Sequence, residues 1–308
     1  MICYFSDSGI KEEDELFIHK HTKHRLISYH YKSAVLKFID ICLKHDIAKD
    51  ISFIVDSGAY SIWNSGKPPL KVQVYEDFCH DVIKRSKNGF KTLEFINLDV
   101  IPGTRNIPVT YEDIQEAQIK SWENYIYLNK SIPNVLPVFH QGDDFKYLKM
   151  IEDITLRYCI SPANDRSTPS KLLWCNEVFS KINKEAKPHG LGFSTSEVVK
   201  CNDWYSFDAA THALRAAFGT LVYYNGDKMM DIVFSDRRGP KDTGTHFYKF
   251  SQTEQKLIAE SIEAIGEQFN VDTMFADGKT RKLANIYYMS KFYNDFKAPK
   301  QIIQQNLF

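Results

Sequence analysis

Short apolar runs rich in β-branched and aromatic residues alternate along this chain with longer stretches whose apolar residues recur at helical spacing, the βα rhythm of a parallel sheet. Such runs stand at Ile2 to Phe5, Ile51 to Val55, Leu93 to Leu98, Val135 to Phe139, Tyr158 to Ile160, Gly190 to Phe193 and Trp204 to Phe207. An eighth falls near Leu221 to Tyr224 or Asp231 to Phe234. Connections long enough to cross over wind such strands with one hand, into a closed barrel or an open doubly wound sheet. No Gly-x-Gly-x-x-Gly follows the first run, so the open dinucleotide-binding sheet loses its main support. The expected class is α/β, a (β/α)8 TIM-like barrel with a C-terminal hairpin and helical extension.

The covering helices are marked by their stripes. Val35, Leu36, Phe38, Ile39, Ile41 and Cys42 form one, and Tyr75, Phe78, Cys79, Val82 and Ile83 repeat at steps of three and four in another. Thr110 is placed to cap a helix whose first turn carries Glu112 and Asp113, and Thr168-Pro169 opens a further one. Asn225-Gly226 predicts a hairpin, and Ser251 with Glu254 predicts a capping box at the start of a terminal helical segment. The expected division is a barrel over 1–250 and a helical extension over 251–308. The 308 residues, 43% of them hydrophobic, suffice for a core of that size.

The 39 basic and 39 acidic residues cancel, so a nucleic-acid partner has to be held by local basic patches, not by the overall field. Six cysteines occur without a CxxC or CxC motif, which argues against a disulfide framework and a common zinc signature and favours a reducing, cytoplasmic setting. No cofactor and no metal are expected. The amino terminus is too soon polar for a signal peptide and no run approaches membrane-spanning length, so no membrane partner is expected.

Four polar stretches end the predicted strands: Asp56-Ser57-Gly58-Ala59-Tyr60, Asn97-Leu98-Asp99, His140-Gln141-Gly142 and Phe207-Asp208. In a parallel barrel the carboxyl ends of the strands form the face on which catalytic groups converge. Chemistry at a glycosidic carbon needs one acid to protonate the leaving group and another to capture the developing cation, and three aspartates leave one for recognition. Taken singly each stretch also has an ordinary reading: Asp56 as a turn residue, Asp99 and Gln141 as loop polar groups, Asp208 as a helix cap, and His140, His189 and His212 as structural histidines.

In order and rough spacing these stretches, with Gly190-Leu191-Gly192, resemble the guanine transglycosylase superfamily over about residues 50 to 225, the superfamily of the queuine and archaeosine tRNA-guanine transglycosylases. Asp99-Val100-Ile101-Pro102-Gly103 and His140-Gln141-Gly142-Asp143 look more like its phage and bacterial branch, the DpdA family, which inserts 7-deazaguanines into DNA. The resemblance implies a pentosyltransferase that exchanges guanine in a polymer for a free 7-deazaguanine base. It implies Asp208 as nucleophile, Asp56 as acid and base, Asp99 as reader of the base edge, Gln141 with Gly142 and the amide of Gly190 or Leu191 toward O6, and Tyr60 stacked on the ring beside Ser57 and Gly58. Phe193, Ser194 and Thr195 stand where the tRNA enzymes have a glutamate for an aminomethyl group, which favours a neutral preQ0-like 7-cyano base. His212, Arg215, Arg237, Arg238 and Lys241 are the expected backbone contacts, a flipped or single-stranded nucleotide the expected substrate. A homodimer is compatible with this reading, as is residence in a host cytoplasm if the chain is phage-encoded. Three alternatives stay open: a tRNA substrate, a barrel hydrolase using the same acids with water, and a non-catalytic barrel that recruits a partner through its basic terminal helices.

Overall fold

The computed structural model describes residues 1–7, 9–104, 106–163, 166–192, 202–235 and 244–296. Its contacts divide the chain into two compact units, one of residues 1–10 and 24–208, the other of residues 11–23 and 209–296. The sequence division at residue 250 falls inside the second of these.

In the first unit nine strand segments form one parallel sheet: β1 (Ile2–Ser6), β2 (His24–Ser28), β3 (Ser52–Asp56), β4 (Thr92–Ile96), β5 (Val135–Leu136), β6 (Val138–His140), β7 (Cys159–Ser161), β8 (His189–Gly190) and β9 (Ser206–Ala209). Their order is β5-β4-β3-β2-β1-β9-β8-β7-β6. The two end members are one run of chain interrupted only by Pro137, which has no N–H to give to a ladder. Val135 and Leu136 pair with β4 on one side, while Val138 to His140 pair with β7 on the other and Pro137 O accepts from Cys159 N. The sheet thereby closes on itself, giving the eight strand positions of a (β/α)8-like barrel.

One strand position differs from the sequence reading. The eighth barrel strand is β2, not 221–224 or 231–234. Its sequence, His24-Arg25-Leu26-Ile27-Ser28, opens on two basic residues. Arg25 is nevertheless buried, with Nη1 donating to Phe5 O at 2.9 Å and the guanidinium over the Phe38 ring.

Strand alternation sorts the side chains into two cores. Tyr4, Leu26, Ile54, Ile96, Leu136, Val138 and Cys159 form one cluster inside the barrel. Ile27, Phe53, Val55, Phe95 and Val135, of opposite parity, pack outward with residues of the covering helices. The helices are α1 (Glu12–His21), α2 (Lys32–Lys44), α3 (Ala59–Asn64), α4 (Val72–Ser86), α5 (Tyr111–Leu128), α6 (Phe145–Glu152), α7 (Thr168–Lys181), α8 (Thr211–Ala217), α9 (Gln252–Glu263), α10 (Val271–Ala276) and α11 (Gly278–Asp295). The expected stripes of α2 and α4 are the buried ones, and Thr110 forms a capping box with Asp113. Ser167, one residue ahead of the Thr168-Pro169 pair, caps α7.

The second unit joins α1 to α8–α11 and a three-stranded sheet of β10 (Thr220–Tyr224), β11 (Met229–Val233) and β12 (Thr245–His246). β10 and β11 are the hairpin predicted at Asn225-Gly226, and α9 begins with the Ser251–Glu254 capping box. Buried Asn285 ties the unit together: its Oδ1 accepts from Val222 N, and its Nδ2 donates to His212 O and Thr220 O. Among the described residues no helix is long and apolar enough to cross a membrane.

Candidate active site

The parity that puts Leu26, Ile54, Val138 and Cys159 inside the barrel puts Ser28, Asp56, His140 and Ser161 inside it two residues later, at the carboxyl ends of their strands. Apolar residues therefore fill the middle of the barrel and polar ones line its mouth. On β9 the same rule carries Ser206 to Asp208.

Asp56 ends β3, in register with Ser28 of β2. Its Oδ2 accepts from Gly58 N at 3.2 Å, and Ser28 also bonds its carboxyl. Gly58 sits at φ +73, and a Cβ there would come within 2.9 Å of Ser28 Oγ, so the turn after Asp56 requires glycine. Burial, with the neighbouring charges of Asp99 and Asp208, pushes the Asp56 carboxyl up to about 6 against the bonds from Ser28 and Gly58 that favour its anion. Asp56 thus feels both of the other aspartates across this mouth.

Asp99 lies on the loop after β4, pinned by α5. Asn97 Nδ2 donates to Ser121 O, Val100 N to Ser121 Oγ and Asn124 Nδ2 to Leu98 O, each at 2.8 Å. The Asp99 side chain is buried, with Oδ1 3.4 Å from Ser57 Oγ and Oδ2 2.8 Å from His140 Nε2. The other nitrogen of His140, Nδ1, is 3.6 Å from Asp143 Oδ2, which also accepts the backbone N–H of His140 at 2.8 Å. Burial alone would lower the imidazole. The carboxylates of Asp143 and Asp99 outweigh it and raise His140 to about 10, so the ring is an imidazolium between two anions.

Asp208 Oδ1 accepts from Gly192 N at 2.9 Å and stands 3.7 Å from His189 Nε2. It belongs to strand β9 and does not cap a helix, since α8 starts at Thr211 behind Ala210.

Beside Asp99 opens a pocket of about 250 Å³, walled by Ile62, Trp63, Leu70, Val100 and Ile101 and edged by Lys67. Trp63 is fixed by its Nε1 bond to Gly103 O at 3.0 Å. Tyr60, the expected stacking residue, is 45% exposed and lies with its ring 5.8 Å from that of Trp63, outside the pocket lining. Three residues further along α3, the Trp63 indole lines the pocket instead.

The remaining expected residues divide. Ser57 is buried on Asp99, and Gly142 takes φ +112 against Ile114. Gln141 turns away to the next loop, its Oε1 accepting from Ala163 N and its Nε2 3.4 Å from Ser170 Oγ. Gly190 lies within β8, and the amide of Leu191 is bonded to Ile160 O, so that amide serves the barrel ladder and is not available to a base. His212 is fully buried, which removes it from any phosphate contact. Arg215 is paired with Asp231 at 3.0 Å. Arg237, Arg238 and Lys241, like Phe193, Ser194 and Thr195, lie outside the described residues.

Sequence reasoning passed over Trp63 and read His140 and His189 as structural histidines. The readable signal for His140 was its parity with Val138, which points both into the barrel. Among the described residues no cluster of three or more His, Cys, Asp or Glu side chains is arranged to hold a metal. No protein-family model matches the chain, and no curated protein matches it.

Proposed function

We propose that this barrel exchanges guanine in a nucleic acid for a 7-deazaguanine base, by two displacements at C1′ through a covalent glycosyl–Asp208 intermediate. The observation that carries this reading is the convergence of Asp56, Asp99 and Asp208 at one mouth beside a pocket walled by Trp63. Asp208 attacks C1′ as the C1′–N9 bond breaks. The electron pair leaves with guanine, which takes a proton from the Asp56 carboxyl. The incoming base then loses its N9 proton to the Asp56 carboxylate and attacks C1′, and the pair of the ester bond returns to Asp208. Two inversions retain configuration. Asp99, oriented by His140, accepts from the donor edge of the base in the pocket, a charge-assisted pairing that suits a carboxylate. The target nucleotide is extruded or single-stranded, because the mouth cannot act on a stacked base. DNA is the proposed polymer, on the branch-like phrases around Asp99 and His140.

Radiolabelled guanine, offered with duplex DNA, single-stranded DNA or tRNA, tests the reading. Incorporation into DNA supports it, and incorporation only into tRNA changes the polymer. Release of base without incorporation indicates hydrolysis, and neither indicates a binding protein.

Two further outcomes follow. With the Asp56 carboxyl near 6, adduct formation needs the protonated form and falls as pH rises above that value, whereas resolution by an incoming base needs the carboxylate and rises toward it. Single-turnover measurements of the two half-reactions between pH 5 and pH 8, an interval chosen about that value, separate them; parallel profiles contradict the assignment. Trp63→Ala should weaken base binding by about 1–3 kcal/mol, the usual worth of one base–aromatic stack. Titration calorimetry with the free base reads this directly, and unchanged affinity removes the pocket from the proposal.

A further inference from the structure

A line of polar groups runs inside the barrel from the amino ends of the strands to Asp208. Arg157 forks onto Glu94 through Nε and Nη2 at 2.9 and 2.8 Å, and its Nη1 donates to Ser206 Oγ at 2.9 Å. A guanidinium has only donors, so the Ser206 oxygen accepts there, and its own hydroxyl hydrogen can be given to His189 Nδ1, 2.9 Å away. His189 is fully buried, and burial keeps its ring neutral in spite of the nearby Asp208 carboxylate. A neutral ring that accepts at Nδ1 carries its proton on Nε2. Among the described residues that Nε2 has no hydrogen-bond partner, and it faces Asp208 Oδ1 across 3.7 Å. A buried donor left unpaired is a standing cost, and here it is aimed at a carboxylate.

We propose that His189 is a positioning residue for Asp208: Glu94, Arg157 and Ser206 lock it as the Nε2–H tautomer, and together with the amide of Gly192 it holds Oδ1, leaving Oδ2 as the oxygen that attacks. The inference rests on the reading of Asp208 as nucleophile. When Oδ2 bonds to C1′ and the pair of the C1′–N9 bond departs with the base, Oδ1 becomes the ester carbonyl, still bonded by the Gly192 N–H and faced by His189 Nε2. When the incoming base attacks, the Oδ2–C1′ pair returns to the carboxylate, and the charge that develops is shared with Oδ1 under the same donors. The donors act most on the second displacement, in the manner of an oxyanion hole.

His189→Leu should therefore slow resolution of the glycosyl adduct about 10- to 100-fold, so that adduct accumulates, with a smaller effect on its formation. His189→Gln offers an amide N–H near the place of Nε2 and should restore most of the loss. Equal slowing of both half-reactions, or His189→Leu turning over at the wild-type rate, overturns the proposal. A nitrogen-15 spectrum of the histidine rings tests the tautomer independently of turnover. The expected His189 signal is that of a neutral ring protonated at Nε2, changed in Ser206→Ala, where the donor to Nδ1 is gone. A ring protonated at Nδ1, or a spectrum unmoved in Ser206→Ala, overturns the lock. If the wild-type protein exchanges no base with any nucleic acid, the functional reading fails, while the spectrum still decides the tautomer.

Discussion

Replacing Asp208 with Asn is expected to abolish base exchange, by on the order of 10⁴-fold or more, and to eliminate the covalent adduct. The substitution removes the charge and nucleophilicity of one carboxylate while preserving its shape. An asparagine oxygen can still accept the 2.9 Å bond from Gly192 N, so the strand end should hold its place and the fold should survive. Incorporation of radiolabelled guanine and mass spectrometry of the trapped adduct measure the two losses. Turnover within tenfold of wild type would remove Asp208 as nucleophile and leave only Asp56 and Asp99 for chemistry at this mouth.

His140→Leu should give the largest loss of stability. The imidazolium stands between two buried carboxylates, 2.8 Å from Asp99 Oδ2 and 3.6 Å from Asp143 Oδ2. Removing one member of a buried ionic set leaves its partners uncompensated, at about 3–5 kcal/mol. The pH dependence identifies the cause. His140 is raised from 6.5 to about 10, so the folded state binds the proton more tightly than the unfolded state does. Its stabilisation is complete below about 6.5 and is lost as pH rises through about 10. Urea melts across that interval should show wild type weakening and His140→Leu losing far less. The same variant should bind free base more weakly, since Asp99 loses the group that orients it. Coincident pH profiles for the two proteins would contradict the charged bridge.

Seven barrel strands and the covering helices were legible because their apolar residues repeat at the two periods that strands and helices impose. The missing strand, β2, hid behind His24 and Arg25: a buried arginine whose charge is met by Phe5 O and a ring face breaks the pattern that marks strands. The three aspartates were legible as polar residues at strand ends. Their partners were not, because the His140–Asp99 pair joins residues 41 apart and the Asp208–Gly192 bond residues 16 apart, and neither separation follows a local period. Tyr60 and Trp63 stand on one short helix, and no local period says which of the two faces the pocket, as Trp63 does. His212 and the Leu191 amide failed as ligands for one reason, that burial and ladder bonding had already committed them.

The composition of the second unit bears on how the chain is made. Helix α1 is made well before its partners in this unit: Phe17 meets Phe269, His21 meets Tyr287, and Lys279 reaches Asp14 at 3.0 Å. Closing contacts across so much intervening chain is slow, and until those later helices are made Phe17 and His21 lack the rings they pack on. A nascent product halted at residue 208 would carry that helix naked, a state prone to clumping and suited to capture by a chaperone.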